Sequence, residues 1–230
     1  MDRATLTSGE CALSEISLMD LHRCLSHISP ATIAQLVNKE ILDGVTISDW
    51  AVDFCEVCAL VKIKLNPFPK SCSHLAQDIN NVVHLDVWGP ASVQAIGGEN
   101  YAVTFIDEKS CYGVVEGIRT KGNVFREYIA FEAWMRVQRG KAIKHVQSDR
   151  GGEYLGNEFT DHLRWQGTTH QLTVHDFPQF NGIAECCNGV LLEHVRALLI
   201  DSALPKFLWK EALKFAMWIR NRSIVRATLP

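Results

Sequence analysis

The chain has 230 residues, 47% of them hydrophobic, a mean hydropathy near zero and a formal net charge of −3. That is the profile of an ordinary soluble globular protein with room for one full domain plus a small module. No apolar run approaches the ~18 residues of a membrane span, and the polar N-terminus lacks the basic start and apolar core of a secretory signal. An intracellular, reducing location is therefore expected, in which the eight cysteines serve as thiols or metal ligands rather than disulfides. The net charge shows no basic excess of the kind nucleic-acid binders carry, but "VKIKLNPFPK" and "WIRNRSIVRA" are locally basic, and distribution counts for more than the sum.

In chain order, residues 1–17 read as a polar tail. Residues 18–43 carry apolar positions at helical spacing, Leu21, Leu25, Ile33, Leu36, Val37 and Ile41. Pro30 divides them into two short helices, the second capped by Ser29 with Pro30 in its first turn. "FCEVC" forms a further short element, which closes a module over 18–65. The prolines of "LNPFPKSCSH" mark a linker over 66–80. From 81 to 230 the pattern becomes that of an α/β domain. "VVHLDVWG", "NYAVTFIDE" and "YGVVEGI" are three strands of a meander, and 121–138 is a helix with Val124, Tyr128, Phe131, Met135 and Val137 facing inward. "AIKHVQSD" is a fourth strand, "NEFTDHLRWQG" a helix closed by Gly167, and "THQLTV" a fifth strand. Residues 183–220 are mostly helical, with Leu208, Ala212, Phe215, Ala216 and Ile219 as the last apolar stripe. The order βββαβαβα plus one more helix predicts a mixed sheet covered by helices.

Two clusters carry chemistry. His22 and His27 are separated by four residues, and Cys55 and Cys58 by two. Two histidines about one helical turn apart and a C-x-x-C turn supply the four N/S ligands of tetrahedral zinc. A full set of protein ligands leaves no open position, so the site is structural: one ion stapling a module too small to hold itself together. The second cluster is acidic. Alternation along the first strand of the α/β domain sets Asp86 on the face opposite Leu85 and Val87, Asp149 ends the fourth strand, and Glu185 begins a helix. If the first and fourth strands are neighbours, the three carboxylates meet at one sheet edge. Converging carboxylates repel and demand cations. Oxygen ligands suit two Mg²⁺ or Mn²⁺ ions, which activate a water or 3′-hydroxyl and stabilise the leaving oxygen of a phosphodiester. The glycines after Asp149 let the backbone turn there. Spacing alone leaves Asp107, Glu153 and Asp176 as rivals.

Taken together, the His/His/Cys/Cys cluster, "HLDVWGP", "FIDEKSCYG", "SDRGGEY" and "PQFNGIAE" resemble the integrases of Ty1/copia-type long-terminal-repeat retrotransposons. Asp149 and Glu185 have 35 residues between them, the spacing of the D,D(35)E signature. The resemblance runs over about residues 18 to 229. It implies an RNase H-like catalytic core of five mixed strands behind a zinc-binding pre-integrase module, as a segment of a polyprotein. It also implies Asp86, Asp149 and Glu185 as catalytic metal ligands for 3′-end processing and strand transfer of element DNA into host DNA. Homo-oligomers and a nuclear site of action follow from the same resemblance.

The chain departs from the family pattern just after Glu185. "AECCNG" stands where a pattern like "AERKNR" is usual, so that Cys186, Cys187 and Gly189 replace side chains expected to hold DNA phosphates. Fewer cationic contacts mean weaker DNA binding with a flatter salt dependence. Asn188 remains, one turn from Glu185. Asn188, Arg150 and the loop residues Gln179 and Phe180 are the candidate DNA contacts. Three other readings stay open: a decayed fragment keeping the fold without activity, a nuclease acting on RNA–DNA hybrids, and a DNA-binding module without chemistry.

Overall fold

The computed structural model describes residues 14–42, 44–61, 76–172 and 182–223. Its N-terminal part holds two short parallel strands, β1 (Ser14–Ser17) and β2 (Val45–Asp49), and three short helices, α1 (Leu18–Cys24), α2 (Pro30–Asn38) and α3 (Glu56–Val61). The Ser17 side chain accepts from the Asp20 amide at the start of α1, and Ser29 accepts from the Thr32 amide at the start of α2, with Pro30 in the first turn as the sequence predicts. Strand β1 lies in the stretch read as a tail. Four polar-rich residues give no alternation to read, and their pairing with β2 is set by contacts distant in sequence.

The second part is a five-stranded mixed sheet of β3 (Val82–Trp88), β4 (Tyr101–Asp107), β5 (Gly113–Ile118), β6 (His145–Ser148) and β7 (Thr169–Leu172), in the order β5-β4-β3-β6-β7. β3, β4 and β5 form the antiparallel meander, while β6 runs parallel to β3 and β7 parallel to β6. The first and fourth strands of this domain are thus neighbours, as the carboxylate argument needs. This is the RNase H-like mixed sheet the sequence predicts.

One face of the sheet is covered by α4 (Val124–Arg139), the single turn α5 (Gly152–Leu155) and α6 (Asn157–Gln166). Val83, Leu85, Val103 and Phe105 meet Tyr128, Phe131, Met135, Phe159 and Leu163 there, and Phe105 stacks on Phe131 with centroids 4.7 Å apart. The other face is covered by α7 (Gly182–Asp201) and α8 (Trp209–Arg220), whose Ala184, Cys187, Leu191, Leu213 and Met217 meet Ala102, Ile106 and Val115. Gly167, in the left-handed region at φ 73°, ends α6. Two inward assignments are corrected. Val137 is 79% exposed, because it lies about 200° around α4 from buried Met135, and Phe215 is 42% exposed, because α8 buries Trp209, Leu213, Ala216, Met217 and Ile219 instead. No described helix is long and apolar enough to cross a membrane.

The two parts touch. Ile219 of α8 completes the apolar cluster of the N-terminal module with Leu18, Leu21, Ile28, Ile33 and Leu36, and α3 packs against α7. Helix α7 therefore contacts both parts. A Cβ at Gly189, inside this helix, would meet nothing within 4 Å. Gly189→Ala is expected to raise stability by about 0.5–1 kcal/mol, by restricting the unfolded chain and favouring the helix. Urea denaturation measures this, and a loss of stability would show a backbone at that turn that alanine does not fit.

Candidate active site and metal centre

Residue alternation places Asp86 on the α7 side of β3, opposite the side where Leu85 packs against α4. Its register partner on β4 is Thr104. Thr104, 1% exposed, donates its hydroxyl to Asn188 Oδ1 at 2.7 Å, and Asn188 donates Nδ2 to Asp86 Oδ2 at 2.7 Å. A strand, its neighbour and the helix above them thus fix one carboxylate. Asn188 was expected to face DNA. It is buried, with its amide committed to this relay. The signal for the relay is the cross-strand register of Thr104, which a single sequence does not display.

Asp149 follows the last residue of β6 and is exposed. Its Oδ1 accepts the Gly151 amide at 2.9 Å, an Asx-type turn that fixes the direction of the chain leaving the strand. A Cβ at Gly151 would lie 2.7 Å from the Glu153 carboxyl carbon, so glycine at that position lets Glu153 fold back to receive Lys121 Nζ at 3.0 Å. Glu185 lies in the first turn of α7, exposed, where a carboxylate is favoured by the helix dipole.

The three carboxylates act on one another. Burial pushes the Asp86 carboxyl above its ordinary value, and the Asp149 charge adds to the rise despite the opposing hydrogen bond from Asn188. Burial also raises Glu185, reinforced by Asp86 and then Asp149. Tyr154 is fully buried. Its phenol is pushed well up by burial first and then by Asp86, Asp149 and Glu153. Its hydroxyl has no hydrogen-bond partner among the described residues. Asp86, Asp149 and Glu185 thus feel one another electrostatically, with Lys121 acting on Asp86 and Asp149, but among the described residues they do not form a close metal-holding group. Of the rivals, Asp107 is a turn residue at the far end of the strand pair, accepting from the Asn80 and Ser110 amides. Glu153 is the partner of Lys121, and Asp176 lies outside the described residues, as do Gln179 and Phe180.

The helix departure also changes meaning. Cys187 is 4% exposed inside the apolar cluster beneath α7, with its thiol pushed up to about 11 by burial. A side chain at that position faces the sheet, so a lost DNA contact there is not what cysteine replaces. Arg150 is exposed beside Asp149.

His22, His27, Cys55 and Cys58 have their ligand atoms within 4.8 Å of one another, the one such group among the described residues. His22 lies in the last turn of α1, but His27 lies beyond the helix. Ser26 and His27 both adopt left-handed backbone, φ 61° and 57°, and the His27 amide bonds to His22 O at 2.8 Å. The chain doubles back instead of continuing one helical face, a strained arrangement of the sort that clusters at functional sites. His22 Nε2 lies 3.2 Å from His27 Nδ1 and 3.3 Å from Cys58 Sγ, and His27 Nδ1 lies 3.5 Å from Cys55 Sγ and 3.7 Å from Cys58 Sγ. Zinc bond lengths of about 2.0–2.3 Å give tetrahedral edges of roughly 3.3–3.8 Å. Four of the six donor–donor edges, at 3.2–3.7 Å, match that polyhedron, and no donor lies more than 4.8 Å from another. His22 Nδ1 lies 2.7 Å from Ile28 O, a contact that fixes its ring.

No protein-family model matches the chain. It is 34% identical over 225 residues to the retrovirus-related Pol polyprotein from transposon TNT 1-94 of Nicotiana tabacum, a match covering 96% of this chain and 16% of that protein. It is 26% identical over 211 residues to the transposon Ty1-DR6 Gag-Pol polyprotein of Saccharomyces cerevisiae, covering 87% of this chain and 12% of that one. The chain thus spans less than a fifth of the length of these relatives. Among solved structures, the HTLV-2 integrase catalytic core domain in complex with magnesium is similar in its trimeric and dimeric forms. Each is 20% identical with a TM-score of 0.44, covering 60% and 61% of this chain and 83% and 85% of theirs. Nearly the whole chain is thus similar to one segment of these transposon Pol polyproteins.

Proposed function

We propose that this segment is a metal-dependent polynucleotidyl transferase that processes the 3′ ends of element DNA and joins them to host DNA, an activity that places it in the nucleus. The observation that supports this most is the shared field of Asp86, Asp149 and Glu185, drawn from a strand, a strand end and a helix start. In this reading the three hold two Mg²⁺ or Mn²⁺ ions, whose charge offsets the repulsion and draws the carboxylates in. The ions would activate the attacking oxygen and stabilise the leaving one. Asn188 and Thr104 keep Asp86 aimed, and Arg150, Gln179 and Phe180 are proposed to meet DNA. The His22, His27, Cys55 and Cys58 donors hold one structural zinc. Action on two DNA ends calls for a second copy of the chain.

A second reading, a segment that binds DNA without chemistry, is favoured by one observation. The turn after Glu185 presents Cys186 and Gly189 in place of cations, and Lys121 is tied to Glu153. A strand-transfer assay with Mn²⁺ and oligonucleotide ends separates the two. Product is expected from the unaltered chain, and Asp86→Asn should reduce it by more than about 100-fold. Product from Asp86→Asn at the unaltered rate would end the carboxylate assignment.

The same substitution has a second consequence. Asp86 and Glu185 bind protons more readily folded than unfolded, because burial first and neighbouring carboxylates after it disfavour their charged forms, so that cost is absent at low pH and grows as pH rises through the raised folded values. The fold loses stability over that interval. Without divalent ions, Asp86→Asn is therefore expected to stabilise the chain at neutral pH by about 0.5–2 kcal/mol. The gain should vanish in acid, as thermal melts across pH would record.

Thr104→Val keeps the shape but strands the Asn188 oxygen. A stability loss of about 1–3 kcal/mol is expected, with a higher Mn²⁺ requirement for activity. Wild-type behaviour on both counts would remove the relay from the mechanism. Elemental analysis should find about one zinc per chain and close to none in Cys58→Ser. Full zinc in that variant would end the proposed ligand set.

A further inference from the structure

We infer that Asp201, the last residue of α7, is the outer partner of the metal ligand His27, so that zinc loading fastens the N-terminal module to the helix that carries Glu185. The inference rests on the zinc reading above.

The two histidines divide their ring nitrogens in opposite ways. His22 turns Nε2 to the donor cluster and Nδ1 to Ile28 O, within its own module. His27 turns Nδ1 to the cluster, and its Nε2 lies 3.7 Å from Asp201 Oδ2, in the other part of the chain. A metal on Nδ1 fixes the remaining proton on Nε2 and makes that N–H a stronger donor. Carboxylates are the usual acceptors of such donors, and they orient the ring and raise its basicity toward the metal. The separation is within ion-pair reach and a few tenths of an ångström beyond a hydrogen bond, a gap that ring rotation on loading can close.

The carboxylate is otherwise badly placed. An aspartate at a helix C-terminus faces the negative end of the dipole. Asp201 is offset by two groups of the module, His27 on Oδ2 and Arg23 Nε at 3.6 Å from Oδ1. Ile219 of α8 in the module core and α3 against α7 extend the same contact with apolar surface. Glu185 and Asp201 are 16 residues apart on one helix, about 24 Å at 1.5 Å per residue. Because linkage is reciprocal, whatever docking adds to zinc affinity, zinc adds to docking.

The test uses the full 230-residue chain. Zinc affinity is measured by competition with a chromophoric chelator, and docking by amide hydrogen exchange at the end of α7 with and without zinc. Asp201→Asn should still take up one zinc, with affinity about 10–100-fold weaker. It should also lose the zinc-dependent protection that the unaltered chain shows at the end of α7. Asp201→Glu should recover part of both. Equal zinc affinity in Asp201→Asn and the unaltered chain overturns this inference while leaving the zinc site standing. An unaltered chain that takes up no zinc overturns both.

Discussion

Three negative charges stay near enough to feel one another only if something stronger than their repulsion holds them there. In this chain the parallel pairing of β3 with β6 does so first. It sets Asp86 and the residue after Ser148 toward the C-terminal ends of two neighbouring parallel strands, and the hydrogen bonds of two strands are not given up to relieve one pair of charges. Helix α7 does so second, by packing Ala184, Cys187 and Leu191 onto the sheet and thereby holding the turn that carries Glu185. Burial first, and the neighbouring carboxylates after it, raise the proton affinities of Asp86 and Glu185, a cost carried by the apolar clusters on the two faces of the sheet.

Much of this was legible from residue order. The strands announce themselves as short apolar runs bounded by glycine and proline, and an aspartate inside one of them calls for an explanation. The D,D(35)E spacing turned one trio among several into a specific one. What stayed hidden depends on register. Thr104 lies opposite Asp86 only because of how β4 pairs with β3, and that makes Asn188 a buried link where helix spacing alone left it as a surface contact. The short sheet of β1 and β2 escaped for a similar reason, since its partners are distant in sequence.

The metal centre shows the opposite balance. Its four residues could be chosen from spacing, yet the way they meet could not. A helix carrying both histidines was the simple expectation, whereas a left-handed turn at Ser26 and His27 brings the second ring back over the first. Ligand identity is a property of composition, while convergence is a property of backbone dihedrals. Helix α7 ties both sites into one framework, because it touches the module at one end and the acidic edge at the other.

Cys187 has a chemical consequence of its own. A thiol kept protonated by burial is a poor nucleophile, since the thiolate is the reactive species. Oxidants and alkylating agents would therefore pass it by and reach the exposed Cys24 and the half-buried Cys186 first, and Cys55 and Cys58 whenever no metal shields their sulfurs. Among the described residues, three of these four accessible thiols thus lie in the N-terminal module and one beside Cys187 itself.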